Sequence, residues 1–177
     1  MSTQLVAPEV HVSTPVFTER DFKTLAGSFL TGVAIVLVES DGVVEGCTIS
    51  SLTSVSLEPP LMLFCIARDS RTLDAMRESG RMGLSILAAE HRSRELAGQF
   101  ARPGPKYVDQ ADLDRTPSGQ PVISRGLATA ELTIQREYPA GDHVIVLAAP
   151  TWTSARAGSP LAYWRSQLFD PQHPRDL

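Results

Sequence analysis

The sequence is poor in the residues from which several familiar sites are built. Only two cysteines, Cys47 and Cys65, occur in 177 residues, and they stand eighteen positions apart in apolar surroundings. With no C-x-x-C pair and no cysteine–histidine cluster, two buried free thiols are expected rather than a structural zinc site. No G-x-G-x-x-G follows an early strand and no P-loop is present, so any nicotinamide must be held by another route. Lysine and arginine form no run and the formal net charge is −4, which argues against a nucleic-acid surface. No apolar stretch reaches membrane-spanning length. The first residues, Met1-Ser2-Thr3-Gln4, lack the basic and apolar regions of a signal peptide. A cytoplasmic protein is therefore expected. No internal repeat and no Ser-His-Asp arrangement is found.

What remains is an ordinary globular composition, 42% hydrophobic and 20% charged, long enough for one domain with a sizeable core. The expected organisation is an arm at 1–16, a domain at 17–167 and a tail at 168–177. Thr18 followed by Glu19, Arg20 and Asp21 reads as a helix start, with Phe22, Leu25, Ala26 and Phe29 on one face. The branched run Val33 to Val38 reads as a strand, Ser40-Asp41-Gly42 as a turn and Val43-Val44 as the returning strand. Leu61 to Ala67 and Met82 to Leu87 are further strands. Ser70 opens a helix closed by Gly80, and 90–101 forms a helix with Leu96, Ala97 and Phe100 inward. Residues 102–121, with four prolines, read as one long loop. Leu127 to Tyr138 and Val144 to Ala155 read as long strands joined near Gly141-Asp142, and Leu161 to Trp164 as a last short strand. Because strands and helices do not alternate regularly, an antiparallel barrel with peripheral helices is expected, not a doubly wound parallel sheet.

The densest polar feature is Thr48, Ser50, Ser51, Thr53, Ser54 and Ser56, crowded into nine residues between two apolar runs. It reads either as a ligand-binding ribbon or as a polar outer strand with turn-capping serines. Ser70, Arg71 and Thr72 at a helix start read either as a phosphate site, with free N–H groups, hydroxyls and a guanidinium, or as an ordinary N-cap beside a solvated arginine. His143 enters an apolar strand, as a rim residue or a functional one, and Asp142 orients it or simply makes the turn. Phe100 and Trp164 default to core, and Lys106 to a solvated lysine. His11, His91 and His173 read as surface residues.

Six segments in order carry a resemblance over roughly residues 17–165. They are Thr31-Gly32-Val33 leading into a branched strand; Gly46-Cys47-Thr48-Ile49-Ser50-Ser51 with Ser54-Val55-Ser56-Leu57-Glu58-Pro59-Pro60; Ser70-Arg71-Thr72; Phe100-Ala101; Gly141-Asp142-His143; and Tyr163-Trp164-Arg165-Ser166. The chain resembles the short flavin reductases, the NAD(P)H-dependent partners of two-component monooxygenases. Two departures stand out: Glu58 where aspartate is commoner, and Ser166 where the family shows glycine.

The resemblance implies an FMN-binding split β-barrel, mainly β with peripheral helices, built as a homodimer with the flavin near the subunit interface. It implies hydride transfer from nicotinamide C4 to the N5 of free flavin, and delivery of reduced flavin to a separate monooxygenase by diffusion. It assigns flavin contacts to Thr31, Gly32, Val33, Thr48, Ile49, Ser50, Ser51 and Ser54. It favours the phosphate reading for Ser70, Arg71 and Thr72, adds Phe100, Ala101, Lys106, Asp142, Tyr163 and Arg165, and makes His143 the catalytic residue beside the nicotinamide. No metal is implied. Between FAD and FMN the reading inclines to FAD without a residue-level reason. Between NADH and NADPH it inclines to NADH, since no basic cluster marks a 2′-phosphate pocket. Three alternatives stand beside it: a split-barrel FMN oxidase of the pyridoxamine-phosphate type, a non-catalytic flavin-binding module, and an interaction domain without cofactor.

Overall fold

A computed structural model describes residues 16–104 and 106–173. The expected arm, through residue 15, and the end of the tail lie outside the described residues. Helix α1 (Glu19–Gly27) begins at Thr18, whose hydroxyl accepts from the Asp21 amide while the Asp21 carboxylate accepts from the Thr18 amide. This reciprocal capping box satisfies two orphan donors. Strands β1 (Thr31–Gly32), β2 (Ala34–Ser40), β3 (Val43–Ile49), β4 (Thr53–Leu57) and β5 (Pro60–Ala67) follow. Helix α2 (Arg71–Ser79), β6 (Arg81–Ile86) and α3 (His91–Ala101) come next. Beyond them are β7 (Leu113–Arg115), β8 (Pro121–Ile123), β9 (Ala128–Ala140), β10 (His143–Ala155), β11 (Ala162–Trp164) and β12 (Gln167–Phe169).

The main sheet has seven strands in the order β3-β2-β6-β9-β10-β5-β4, and its pairs are antiparallel. Strand β2 explains its own composition. Val36 and Val38 join one core cluster with Phe64, Met82, Leu132 and Val146, while Val33, Ile35 and Leu37 join a second with Leu96, Ala97 and Phe100. A strand buried on both faces reads as an unbroken apolar run. Asp41 (φ 51°) and Gly42 (φ 75°) make the tight β2–β3 turn in the left-handed region that such hairpins need. Helix α2 lays Leu73 and Met76 into the first cluster, and α3 lays Leu96 and Phe100 into the second.

Three features go beyond or against the expected organisation. The stretch 102–121 is not one loop, because the β7–β8 pairing lies in and just beyond it, from Leu113↔Ile123 to Arg115↔Pro121. It is anchored by Arg92, which donates to both carboxylate oxygens of Asp112, and by Thr116, which donates to the buried Glu131 carboxylate at 2.7 Å. The C-terminus holds one more strand than expected, since β12 returns along β11 and runs through the expected domain boundary. Arg165 (φ 47°) and Ser166 (φ 67°) make the turn between them, in backbone that costs a non-glycine residue about 1–2 kcal/mol. The departure at Ser166 thus sits at a position where glycine would relieve strain. Finally, the apolar face of α1 is not covered: Phe22, Leu25 and Phe29 are 55%, 72% and 75% exposed.

The sheet does not close. Strand β3 pairs with β2 alone, and β4 reaches β5 only over Pro60–Leu63, so the far half of β5 has one free edge. The Ser51 side chain spans this seam: its hydroxyl accepts from the Cys65 amide at 2.9 Å and donates to the Cys65 carbonyl at 3.4 Å. On the outer face of β3, Gly46 admits α3. A Cβ there would lie 2.5 Å from Leu37 Cδ2, 2.7 Å from the Val36 carbonyl oxygen and 3.0 Å from the Phe100 ring. Because one of these neighbours is backbone, Gly46→Ala is expected to lower unfolding free energy by about 1–3 kcal/mol. Chemical denaturation checks this; an unchanged midpoint would mean that α3 does not press on the strand.

Candidate active site

The seam is also the site. A cleft of about 430 Å³ lies between the free edges of β3 and β5. One wall is Glu45 to Ile49 of β3, and the opposite wall is Cys65 to Ala67 of β5. One end is formed by Asp69 to Thr72 at the start of α2, the other by Phe100 to Gly104 at the end of α3, with Lys106 and His143 completing the rim. An edge strand presents unpaired N–H and C=O groups. Here two such edges line the same cleft.

The α2 end is built for an anion. Ser70 is the N-cap residue, yet its side chain makes no capping hydrogen bond, so its hydroxyl does not occupy the first-turn amides. An unquenched helix start beside Arg71 offers N–H donors, the positive end of the helix dipole and a guanidinium. Arg71 Nη2 lies 3.3 Å from Glu45 Oε1 across the cleft.

Lys106 is neither solvated nor free. Its ammonium donates to the carbonyls of Gln99 and Arg102, which closes the C-terminus of α3. Burial, above all, holds its pKa below the ordinary lysine value. Both cysteines line the cleft, and burial pushes the Cys47 thiol up to about 12, so it stays protonated near neutral pH.

His143 is the first residue of β10, paired with Ala67 of β5 and Ala140 of β9. The Arg68 amide donates to the Asp142 carbonyl at 3.0 Å and the Arg68 guanidinium to the Gly141 carbonyl, which ties this turn to the end of β5. His143 Nδ1 lies 2.8 Å from Asp142 Oδ1, and that hydrogen bond holds the Asp142 carboxyl below its usual range. An ionised Asp142 can only accept, so Nδ1 carries the proton and Nε2 is left for a ligand. The imidazole is 47% exposed.

A family profile described as "Flavin reductase like domain" matches residues 26–171. The chain belongs to the flavin reductase family. It is 34% identical over 170 residues to the reductase subunit of a flavin-dependent monooxygenase from Mycobacterium tuberculosis, covering 89% of this chain and 88% of that one. It is 32% identical over 157 residues to an FMN reductase (NADH) from Agrobacterium fabrum, covering 88% of each. Among solved structures it superimposes on the NADH:FAD oxidoreductase of Streptomyces globisporus, in complex with NAD and FAD fragments. There the TM-score is 0.79 with 29% identity, and 86% of this chain and 94% of that one are covered. The fold is accordingly the split β-barrel with peripheral helices that the sequence suggests.

In this flavin reductase family member the expected site residues fall into separate places. Thr48, Ile49, Ser70, Arg71, Thr72, Phe100, Ala101, Lys106 and His143 line the cleft. Of these, Thr48 donates its hydroxyl proton to the Ala97 carbonyl of α3 at 2.8 Å, so toward a ligand its side chain can only accept. Phe100 is 2% exposed and serves as core and wall together. The hydroxyl ribbon divides. Ser50 is exposed, Ser51 bridges the seam, and Ser54 lies on the exposed edge strand β4, where Ser56 accepts from the Glu58 amide. This second half forms an exposed outer strand. Asp142 acts on His143 and does not itself line the cleft.

Thr31, Gly32, Val33, Tyr163 and Arg165 gather elsewhere, in the small sheet β1-β11-β12 beside α1. There Thr31 pairs with Tyr163, Arg165 lies 4.4 Å over the Trp164 ring, and the Arg165 amide donates to the Gly27 carbonyl. Sequence reasoning passed over Glu45, Cys65, Arg102 and Pro103, which line the cleft. Glu45 was within reach of it, since strand alternation back from Ile49 through Cys47 puts Glu45 on the same face. The others depend on which elements meet across the seam.

Proposed function

We propose that this protein is an NAD(P)H-dependent flavin reductase that takes free flavin into the seam of its barrel and passes reduced flavin to a partner monooxygenase. The observation that carries the reading is the cleft itself, with two free strand edges along its walls, an uncapped helix start at one end and an oriented histidine on its rim. The donor set suits a flavin: backbone groups of β3 and β5 for the polar ring edge, and Ser70, Arg71 and Thr72 for the phosphate. The chemistry supplied by the bound pair is hydride transfer from nicotinamide C4 to flavin N5.

The chain's own part is to hold the flavin against the seam, to keep water out with the Phe100 and Ile49 wall, and to present His143. Nε2 of His143 hydrogen-bonds the nicotinamide end of the second substrate, with Asp142 as the positioning residue that fixes the tautomer. NADH is the proposed reductant. Both relatives named above with a stated nicotinamide use it, and Arg71 and Lys106 are already engaged with Glu45 and with α3 carbonyls. FAD is the proposed flavin, on the strength of the NADH:FAD oxidoreductase, while the FMN reductase relative keeps FMN as the second candidate.

The functional protein is a homodimer in this proposal, joined through the uncovered apolar face of α1. Phe22, Leu25, Phe29 and Leu30 are each more than half exposed there, an arrangement a monomer does not favour. The second group of site residues adjoins that face: Trp164 Nε1 donates to the Ser28 carbonyl, and the Thr31 hydroxyl is buried without a protein partner. In the dimer this group reaches the flavin of the neighbouring subunit. As for location, no helix among the described residues is long and apolar enough to cross a membrane.

Steady-state assays crossing FAD and FMN with NADH and NADPH are expected to show nicotinamide oxidation only when flavin is added; no flavin-dependent oxidation with any pair would overturn the reading. His143→Ala is expected to lower kcat/KM for NADH by about tenfold or more, while flavin affinity changes far less. Unchanged kinetics would remove the assigned role. Leu25→Asp combined with Phe29→Asp is expected to turn a dimer into a monomer by sedimentation; a wild-type monomer, or a dimer that survives both changes, would refute this interface.

A further inference from the structure

We infer that Glu45 sets the flavin affinity of this enzyme by competing with the flavin phosphate for Arg71. The inference rests on the phosphate reading of the α2 start given above and deepens it. Glu45 belongs to β3, where it lines the cleft on the face it shares with Cys47 and Ile49, opposite the face on which Thr48 bonds α3. Its side chain is only 15% exposed, whereas that of Arg71 is 58% exposed. The acid is therefore the fixed member of the pair and the arginine the movable one. The two atoms lie 3.3 Å apart, and both residues line the same cleft as Ser70 and Thr72.

A phosphate that settles on the α2 start needs that guanidinium and brings a charge of about −1.5 to −2. It meets a carboxylate already paired with the same group. Glu45 thus acts twice against it, by holding Arg71 and by repelling a like charge across a partly covered site. The neighbouring Lys106 does not cancel this charge, since its ammonium is drawn to the carbonyls of Gln99 and Arg102. A reductase whose product must leave for another protein gains from such a counterweight: the helix start still selects a phosphorylated flavin, but does not retain it. The same arrangement without the acid would favour a permanently held flavin.

The test compares FMN with riboflavin, which differ only in the phosphate. Both are titrated into the full-length wild type, Glu45→Gln and Arg71→Ala, and binding is followed by quenching of flavin fluorescence. Glu45→Gln is expected to tighten FMN by about tenfold and to leave riboflavin within about twofold. Arg71→Ala is expected to weaken FMN alone. If Arg71→Ala weakens FMN selectively but Glu45→Gln leaves FMN unchanged, weaker, or tightened equally with riboflavin, the role of Glu45 is overturned and the phosphate site stands. If Arg71→Ala does not alter the discrimination between the two flavins, the phosphate reading fails, and the inference with it. Circular dichroism spectra of the variants, with Glu45→Ser as a second substitution, separate a loss of fold from a change in affinity.

Discussion

The structure turns on an unfinished hydrogen-bond ladder. A seven-stranded antiparallel sheet rolls up far enough to bury one core and stops before its edge strands meet. An open edge exposes backbone groups that seek partners, and in most proteins it is a hazard to be blunted. Here two open edges face each other, and the Ser51 hydroxyl holds them at a set separation by bonding both the amide and the carbonyl of Cys65. The unsatisfied groups on either side then line the candidate site. Everything else in the site is arranged around that gap: α2 brings its N-terminus to one end, α3 its C-terminus to the other, and the β9–β10 turn delivers His143 to the rim.

The charges around the gap are balanced rather than concentrated. Arg71 faces Glu45, Lys106 is absorbed by the end of α3, and Asp69 stands beside the helix start. A site meant to hold a phosphate permanently would leave its cations free. This one engages two of its cations, Arg71 with Glu45 and Lys106 with α3 carbonyls, which suits a ligand that arrives oxidised and departs reduced. The Asp142–His143 pair follows the same economy, since the acid fixes a tautomer without entering the cleft.

Much of the fold was legible because local chemistry and tertiary need agreed. The run at 33–38 read as a strand, and its residues from Ala34 onward open β2, which the structure buries on both faces. Thr18 with Asp21 announced a helix start, Gly80 (φ 65°) a helix end, and Gly141 (φ 65°) a hairpin turn. Where the two diverged, the sequence was mute. The spacing of Phe22, Leu25 and Phe29 revealed an apolar face but not that the described residues leave it uncovered. The prolines of 102–121 suggested a loop and hid the short β7–β8 ladder, which forms because Asp112 and Glu131 anchor its flanks.

Residue order alone therefore determined the elements, the antiparallel class and the segments from which the site is drawn, since periodicity, capping and turn chemistry act over a few residues. Only the tertiary structure decided which hydroxyls face a ligand. Thr48, Ser51 and Ser54 look alike in a string of letters, yet one bonds α3, one bridges the seam and one faces outward, because pleat alternation and the point where pairing stops assign each a different neighbour. The pairing of Glu45 with Arg71 belongs to the same category: two side chains twenty-six positions apart meet only because the sheet curls without closing.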